Sequence, residues 1–276
     1  MNFDFAVAGG YFAGWRLVRA LPEKFAYKTF EAIGRYALSR NGSSVKRLRS
    51  NLSRVCPTKS SSEMDELMRS AMSSYMRYWC DTFRSPDWSR ERIAATVTVD
   101  GEELLTAPMK NGSGVVVALP HAGNWDHAGS YFCGMGFPLV TVAERLKPEA
   151  LFNKFLEYRQ NIGMEVLALD SRSIVTLMQR AREGRLIALV ADRDLSKSGV
   201  DVSFFGHSAR MPAGPALLAI RTGIPLITAY VSYTTNGIHI VFNSVDIPVS
   251  GSEEEKVAQV VQRCADLFAK GIASAP

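Results

Sequence analysis

Short apolar segments alternate with segments of helical character between about residues 95 and 235, and this alternation constrains the fold more than any other feature of the sequence. The strand-like segments include VVVALP (115–120), PLVTVA (138–143), EVLAL (165–169) and RLIALVAD (185–192). Helices are predicted from near Trp125, over 148–163, over 173–184 and over 212–223. Continuous apolar runs of this length are typical of parallel strands that are covered on both faces. The alternation therefore predicts an α/β fold with a central, mostly parallel sheet flanked by helices.

Three further segments extend this sheet. ATVTV (95–99) has the composition of a strand, and PLITAYVSYT (225–234) and IHIVFNS (238–244) are separated by a turn at Asn236-Gly237. Asn-Gly between two apolar segments is typical of a hairpin. A final helix is predicted over 253–272.

The first third of the chain is predicted to be helical. Breaks are expected near Pro22 and at Asn41-Gly42, and a longer helix follows over 62–83 with methionine and aromatic residues at helical spacing. Methionines in that pattern are more typical of core packing than of a cofactor site. We predict one domain, 1–276, with a helical part (1–90) and an α/β part (91–276).

Positive charge is concentrated in residues 1–54, which contain ten Lys and Arg against three Asp and Glu, while the whole chain has a net charge of +5. An anionic partner is expected, either an anionic membrane or a nucleic acid. The first 21 residues mix aromatic side chains with Arg16 and Arg19. That composition fits a membrane-associating helix in the lipid interface, and equally a helix packed on its own domain.

Polar residues follow three of the predicted strands at the point where each strand ends. His121 comes after 115–120, Glu144 and Arg145 follow 138–143, and Asp192 and Asp194 follow 185–191. Ligands in open α/β sheets bind at the carboxyl ends of the strands. We therefore expect these side chains to share one edge of the sheet.

His121 and Asp126 lie five residues apart in a predicted strand-to-helix loop, GVVVALPHAGNWD. Gly123 allows a tight turn, so the Asp126 carboxylate can reach one imidazole nitrogen and leave the other as a general base. Asn124 and the backbone N–H groups at the helix start are candidates for holding an anion. The four cysteines are scattered without a CxxC pair, so no metal site is predicted.

Several segments of the sequence resemble those of a known family. LPHAGNWD is similar to the HxxxxD signature of glycerolipid-type acyltransferases. The segments TVAERLKPEALFNKFLEYR, ADRDLSKSGVDVSFFG and ARMPAGPALLAIRTG resemble the bacterial lipid A acyltransferase family, and within it the actinobacterial phosphatidylinositol mannoside acyltransferases. YFAGWRLVRALPE and RYALSRNG also fit that branch, so the resemblance covers nearly the whole chain.

The resemblance implies an enzyme that transfers a palmitoyl-type chain from acyl-CoA, or acyl carrier protein, to a sugar hydroxyl. In this branch the acceptor is the 6-hydroxyl of the mannose on position 2 of inositol. The implied place is the cytoplasmic face of the inner (plasma) membrane, with peripheral attachment. The implied partners are acyl-CoA, a mannosylated phosphatidylinositol and an anionic membrane surface, without nucleic acid, cofactor or metal.

The resemblance and the residues together give a set of expected roles. His121 is the expected base, Asp126 or Glu144 its expected orienting carboxylate, and Asp192 stands where the mannoside enzymes are expected to carry Glu near the acceptor hydroxyl. The expected substrate-binding residues are Asn124, Arg145, Arg159, Asp194 and Ser198, the arginines and the Ser198-Gly199 turn being suited to CoA phosphates.

Three other functions remain open on the sequence. The acceptor can be another glycolipid of the lipid A type, or water can replace the acceptor and make the chain a hydrolase. A non-catalytic protein that binds anionic lipids or nucleic acid is compatible with the basic N-terminal part alone. Acyl transfer to a panel of acceptors separates these alternatives.

Overall fold

The structure of the protein is a computed structural model that describes residues 14–143, 149–169, 172–194 and 199–276. The chain divides into two compact units. The described residues of the helical unit are 14–89, 149–153 and 272–276, and those of the α/β unit are 90–143, 154–169, 172–194 and 199–271.

The described part of the helical unit starts with a helical segment over residues 14–20, and most of the predicted membrane-associating segment, 1–13, lies outside the described residues. Three longer helices follow: α1 (Glu23–Arg40), α2 (Ser43–Val55) and α3 (Ser61–Arg84). The breaks between them fall at Pro22 and at Asn41-Gly42, as predicted. Asn41 ends α1 in the left-handed conformation with φ 45°, which asparagine tolerates better than most residues. Ser60 and Glu63 form a reciprocal capping box at the start of α3.

Methionines fill the core of the helical unit. Met64, Met68 and Met72 on α3 are at most 9% exposed and pack with Val45 and Leu52 of α2. The prediction that these methionines serve core packing is confirmed. Their spacing of four residues places them on one face of α3, so that face is buried while the opposite face meets solvent.

The described residues of the α/β unit form nine strands. They are β1 (Val97–Asp100), β2 (Val115–Leu119), β3 (Leu139–Ala143), β4 (Met164–Ala168), β5 (Leu186–Val190), β6 (Val200–Phe204), β7 (His207–Met211), β8 (Leu226–Tyr233) and β9 (Ile238–Ser244). The helices that come before, between or after them are α4 (Arg90–Ala95), α5 (Glu103–Lys110), α6 (Trp125–Gly134), α7 (Glu149–Asn161), α8 (Ser173–Arg182), α9 (Gly214–Thr222) and α10 (Glu253–Ser274). Residues 149–153 of α7 and 272–274 of α10 belong to the helical unit.

Seven of these strands form one sheet in the order β1-β9-β8-β2-β5-β3-β4. The five strands β8, β2, β5, β3 and β4 are mutually parallel, and the only antiparallel pairing among the seven described strands joins β8 to β9. The predicted mostly parallel sheet flanked by helices is thus confirmed, including the hairpin of β8 and β9. The order also makes β2, β5 and β3 neighbours, so the predicted polar strand ends follow adjacent strands.

The sheet is buried on both faces. Along β2, Val116 and Ala118 point into one core, whereas Val115, Val117 and Leu119 point into the other. Helices α8, α9 and α10 cover the first face, and α5 and α6 cover the second. Side chains of a strand alternate between faces, so two apolar layers require the continuous apolar run that the sequence has here.

Four elements are additional to the predicted ones. The antiparallel pair β6 and β7 forms a separate two-stranded sheet after β5, and the short helices α4 and α5 flank β1. VDVSF (200–204) alternates apolar and polar residues as a half-buried strand does, but over only five residues, and Pro108 lies inside α5, where it weakens the helical signal. Within the part of the chain that the structure describes, the helices are too short or too polar to cross a lipid bilayer.

Candidate active site

His121 and Asp192 form a side-chain pair at the carboxyl edge of the sheet. His121 Nδ1 lies 2.6 Å from Asp192 Oδ1. Leu119, the last residue of β2, is paired in register with Val190, the last residue of β5, and each polar residue comes two positions later. The strand pairing itself therefore brings imidazole and carboxylate together.

The loop that holds His121 is tightly folded. The Ala122 N–H donates to the Pro120 carbonyl at 2.8 Å, which closes a three-residue turn centred on His121. Gly123 follows with φ +58°, and a Cβ at that position would lie 2.4 Å from the Val231 carbonyl oxygen. Glycine is required there both by the positive φ and by the close approach of β8.

Asn124 acts as the N-cap of α6. Its Oδ1 accepts the N–H of His127 at 3.0 Å, and the residue is 1% exposed. A capping side chain satisfies one of the backbone donors that the first helical turn leaves without a partner. The predicted substrate-binding residue is thus placed at the helix start, with its side-chain oxygen engaged in the cap.

Asp126 forms a bidentate ion pair with Arg159. The Arg159 Nε and Nη2 donate to the two carboxylate oxygens at 2.9 Å and 3.2 Å. The side chains are 4% and 13% exposed, and the guanidinium stacks 4.5 Å from the ring centroid of Trp125. This cluster ties the first turn of α6 to α7.

The orienting carboxylate was expected to be Asp126 or Glu144; Glu144 lies outside the described residues, and the geometry at Asp126 differs from the expectation. Asp192 contacts the imidazole instead, and Asp126 is occupied by Arg159. Five residues of chain are enough for Asp126 to fold back in principle, but α6 begins at Trp125 and directs Asp126 into the buried side of the helix, where a cation neutralises it. Arg159, expected at CoA phosphates, is largely buried by that same ion pair.

The remaining predicted residues fall into two groups. Glu144, Arg145 and Ser198 lie outside the residues that the structure describes. Asp194 is described, and its N–H donates to the Arg210 carbonyl at 2.8 Å, so it joins the loop after β5 to β7. Their roles in the site stay predictions.

An apolar pocket opens between α6 and the sheet face beside the pair. It encloses empty space of about 560 Å³, part of which is open solvent. At the carboxyl edge it is lined by Leu119 and Val190, each two residues before a member of the pair. At the amino edge Leu186 and Met164 line it, so it extends over most of a five-residue strand, roughly 13 Å.

Sequence reasoning missed the residues of α6 and β4 that shape this pocket. Trp125, Ala128, Gly129 and Phe132 face it at helical spacing. At Gly129 a Cβ would lie 2.2 Å from Met164 Cε, so glycine admits the methionine there. The small residues AG at 128–129 inside an apolar helix are the signal that indicates a close approach at this point.

Three of the four thiols, those of Cys80, Cys133 and Cys264, are poorly suited to nucleophilic chemistry. Burial raises the pKa of the Cys264 thiol to about 12 and raises that of Cys133 as well. In the helical unit, burial raises the pKa of Cys80 to about 12. Because the thiolate is the reactive form, these side chains remain protonated and unreactive near neutral pH.

Comparison with known proteins gives the context of this site. The chain is 42% identical over 270 residues to the phosphatidylinositol mannoside acyltransferase of Mycolicibacterium smegmatis, which covers 97% of this chain and 87% of that protein. It is 40% identical over 272 residues to the phosphatidylinositol mannoside acyltransferase of Mycobacterium tuberculosis, and that alignment covers 96% of this chain and 84% of that protein. Residues 6–276 match the family described as bacterial lipid A biosynthesis acyltransferase.

The match spans nearly every residue of both units, so it includes the strand ends that carry His121 and Asp192 and the pocket beside them. The expected family is therefore confirmed by its whole length rather than by one motif. The chain belongs to the bacterial lipid A biosynthesis acyltransferase family.

Proposed function

We propose that the protein transfers a palmitoyl-type acyl chain from acyl-CoA to the 6-hydroxyl of a mannose of a phosphatidylinositol mannoside. One observation carries this proposal: a histidine–carboxylate pair with a 2.6 Å contact stands at the edge of an apolar pocket. The pair supplies a base for a hydroxyl nucleophile, and the pocket suits a hydrocarbon chain.

His121 is the general base in this mechanism. With Asp192 ionised, the Nδ1–H group of His121 donates a hydrogen bond to the carboxylate, and the lone pair of Nε2 remains available. The His121 side chain is 46% exposed, so an acceptor hydroxyl has access to it. Nε2 takes the hydroxyl proton as the sugar oxygen forms its bond to the thioester carbonyl carbon. General-base assistance of this kind contributes roughly 10²–10⁴ in rate.

The second half of the reaction restores the base. Attack on the carbonyl gives a tetrahedral oxyanion, for which backbone N–H groups in the first turn of α6 are the candidate donors. The intermediate collapses with cleavage of the carbon–sulfur bond, and the CoA thiolate leaves. The His121 imidazolium returns its proton to the thiolate, so the ester and free CoA are the products. No covalent acyl-enzyme and no metal enter this scheme.

Asp126 and Arg159 hold the site in place without touching the reacting atoms. Their ion pair and the stacked Trp125 ring fix the first turn of α6. Trp125 also lines the pocket, so its ring position affects both the helix start and the space for the acyl chain. A rigid shell of this kind keeps reacting groups within the small tolerance that catalysis needs.

The choice of acceptor rests on the relatives. Both mycobacterial proteins are phosphatidylinositol mannoside acyltransferases, and the chain covers at least 84% of their length. An acceptor of that class is a membrane lipid. We therefore place the enzyme at the cytoplasmic face of the inner membrane as a peripheral protein, with an anionic membrane surface and no nucleic acid as partner.

The test is acyl transfer by the purified protein. Palmitoyl-CoA and phosphatidylinositol mannoside are incubated with the enzyme, released CoA is measured with a thiol reagent, and the product is identified by mass spectrometry. His121→Ala is expected to lower turnover by about 10²-fold or more. Turnover close to that of the unaltered protein in this variant would remove His121 from the role of base.

A panel of donors and acceptors separates the alternatives. Faster CoA release with lipid A precursors than with phosphatidylinositol mannoside would assign another glycolipid acceptor. Release that no sugar acceptor accelerates would make the chain a hydrolase. Acylation with acyl carrier protein but not with acyl-CoA would change the donor. Absence of turnover with every pair, together with lipid binding, would favour a non-catalytic lipid-binding protein.

A further inference from the structure

The solvent-facing side of α1 carries an apolar crest. Phe25 and Tyr36 are 64% and 66% exposed, although side chains of this size are normally more buried. They share one face of the helix with Thr29 and Ala32, because positions 25, 29, 32 and 36 are three or four residues apart. We call these four residues the α1 crest.

The α1 crest is separate from the core of the helical unit. The opposite side of α1 packs on α3: Ala26 is fully buried, and a Cβ at Gly34 would lie 2.8 Å from Met76 Cγ. Helix α1 thus has one apolar stripe that folds the unit and a second that faces solvent. Core packing accounts for the first stripe, whereas the rings of Phe25 and Tyr36 in the second stripe face solvent.

Positive charge borders the α1 crest. The adjacent stripe of the helix carries Lys24, Lys28 and Arg35, because each of them comes one residue before a residue of the α1 crest. Arg35 is paired with Glu31 at 2.8 Å, whereas Lys24 and Lys28 are exposed and form no ion pair with the carboxylates that the structure describes. Residues 14–89 contain fourteen basic and seven acidic residues, so this surface belongs to a segment of net charge +7.

We propose that the α1 crest docks on an anionic lipid bilayer, with Phe25 and Tyr36 in the headgroup region and Lys24 and Lys28 against lipid phosphates. Exposed aromatic side chains flanked by lysines are typical of helices that lie in a membrane interface. A protein partner fits less well, because lysine is depleted in protein interfaces. This inference deepens the proposed function, since a glycolipid acceptor is met at a bilayer.

Binding to vesicles tests the apolar half of this inference. The protein is mixed, without donor or acceptor, with vesicles of equal parts phosphatidylcholine and phosphatidylglycerol, and the bound fraction is measured by flotation. Phe25→Ser/Tyr36→Ser is expected to weaken binding by about tenfold or more, since both rings leave the interface. Val175→Ser/Val249→Ser is the matched control, because both valines are exposed, at 66% and 95%, in the α/β unit.

The charged half is tested with Lys24→Ala/Lys28→Ala. Each cation near an anionic surface contributes a factor of roughly five, so the pair is expected to lower binding about 25-fold. Added salt and pure phosphatidylcholine vesicles should weaken binding of the unaltered protein in the same direction. Lys110→Ala, an exposed lysine of the α/β unit, should leave binding close to its original value.

Several results would overturn the inference. These are failure of the unaltered protein to bind anionic vesicles, equal binding by the serine double variant, and loss of binding by the valine control. Self-association of the unaltered protein that the serine variant abolishes would assign the α1 crest to a second copy of the chain. Vesicle binding needs no turnover, so an inactive protein that binds through the α1 crest would refute only the proposed reaction.

Discussion

Replacing Asp192 by asparagine separates orientation of the imidazole from stability of the fold. Asp192 Oδ1 lies 2.6 Å from His121 Nδ1, and the two side chains are 22% and 46% exposed. Asparagine has the same size, so the loop geometry should persist. The variant loses the negative charge that favours an Nδ1 proton and stabilises the imidazolium formed during attack.

The expected loss follows from the strength of that contact. A hydrogen bond to a charged group contributes about 1.5–3 kcal/mol. If this stabilisation is realised in the transition state, kcat falls by roughly 10- to 150-fold. The KM for acyl-CoA should change little, because Asp192 is absent from the residues that line the apolar pocket. The unfolding temperature should also stay close to that of the unaltered protein, since the pair is at the surface.

Asp126→Asn is the matched control, because it removes a carboxylate from the same edge of the sheet. It leaves the Arg159 guanidinium, 13% exposed, without its counter-charge. Loss of one partner of a buried pair costs on the order of 3 kcal/mol. For a chain of this size that corresponds to a fall in Tm of roughly 6–12 °C. Asp192→Asn should therefore affect turnover, and Asp126→Asn mainly stability.

The assay combines CoA release under saturating palmitoyl-CoA with thermal unfolding followed by circular dichroism. Turnover of Asp192→Asn within about threefold of the unaltered protein would contradict the role of Asp192, because it is less than the smallest expected loss. A large loss of turnover in Asp126→Asn at unchanged Tm would instead return the orienting role to Asp126. Either result would show that the 2.6 Å contact is not the functional one.

Three further predictions concern the pocket, the loop and the thiols. Met164→Ala opens the amino edge of the pocket, so the ratio of kcat/KM for longer over shorter acyl-CoA should rise. An unchanged ratio across a series of acyl-CoA donors would show that Met164 does not limit the length of the acyl chain. Gly123→Ala places a Cβ 2.4 Å from the Val231 carbonyl oxygen at a residue of positive φ. The free energy of unfolding, measured in urea, should fall by about 1–3 kcal/mol. An unchanged midpoint of the urea transition would mean that the loop relaxes. Cys80 and Cys264, whose pKa values burial raises to about 12, should resist iodoacetamide in the native protein, and mass spectrometry would detect any contrary labelling.

The sheet was predictable because its strands have an unusually clear signal. Continuous apolar runs such as VVVAL can be buried on both faces of a parallel sheet, and they distinguish strands from the amphipathic helices between them. The β6–β7 hairpin lacks that signal, since its residues alternate between polar and apolar and cover only one short ribbon. Whether such short segments pair as strands depends on the neighbouring elements, and a local sequence pattern does not show those contacts.

The location of the candidate site was predictable from the sequence, but the side-chain contacts within the site were less so. The carboxyl edge of the sheet follows from the strand pattern, and His121 and Asp192 were both expected there. Which carboxylate meets the imidazole depends on strand order and register, neither of which is local. Asp126 is nearer to His121 in the sequence, but helix α6 turns it towards Arg159, which lies 33 residues further along the chain.

Register connects the stability of the fold with the chemistry of the site. Leu119 is paired with Val190, so His121 and Asp192 reach the same level two residues later. A slip of one residue between β2 and β5 would bring Ala191 or Arg193 to that level and would also turn each apolar side chain of β5 to the opposite face. Both faces are packed, with Ile187 in one core and Leu186 in the other, so the slip is strongly disfavoured by lost burial. The same apolar contacts that hold the sheet together therefore hold the base against its carboxylate, and substitutions deep in β5 should affect turnover through the position of Asp192 before they unfold the chain.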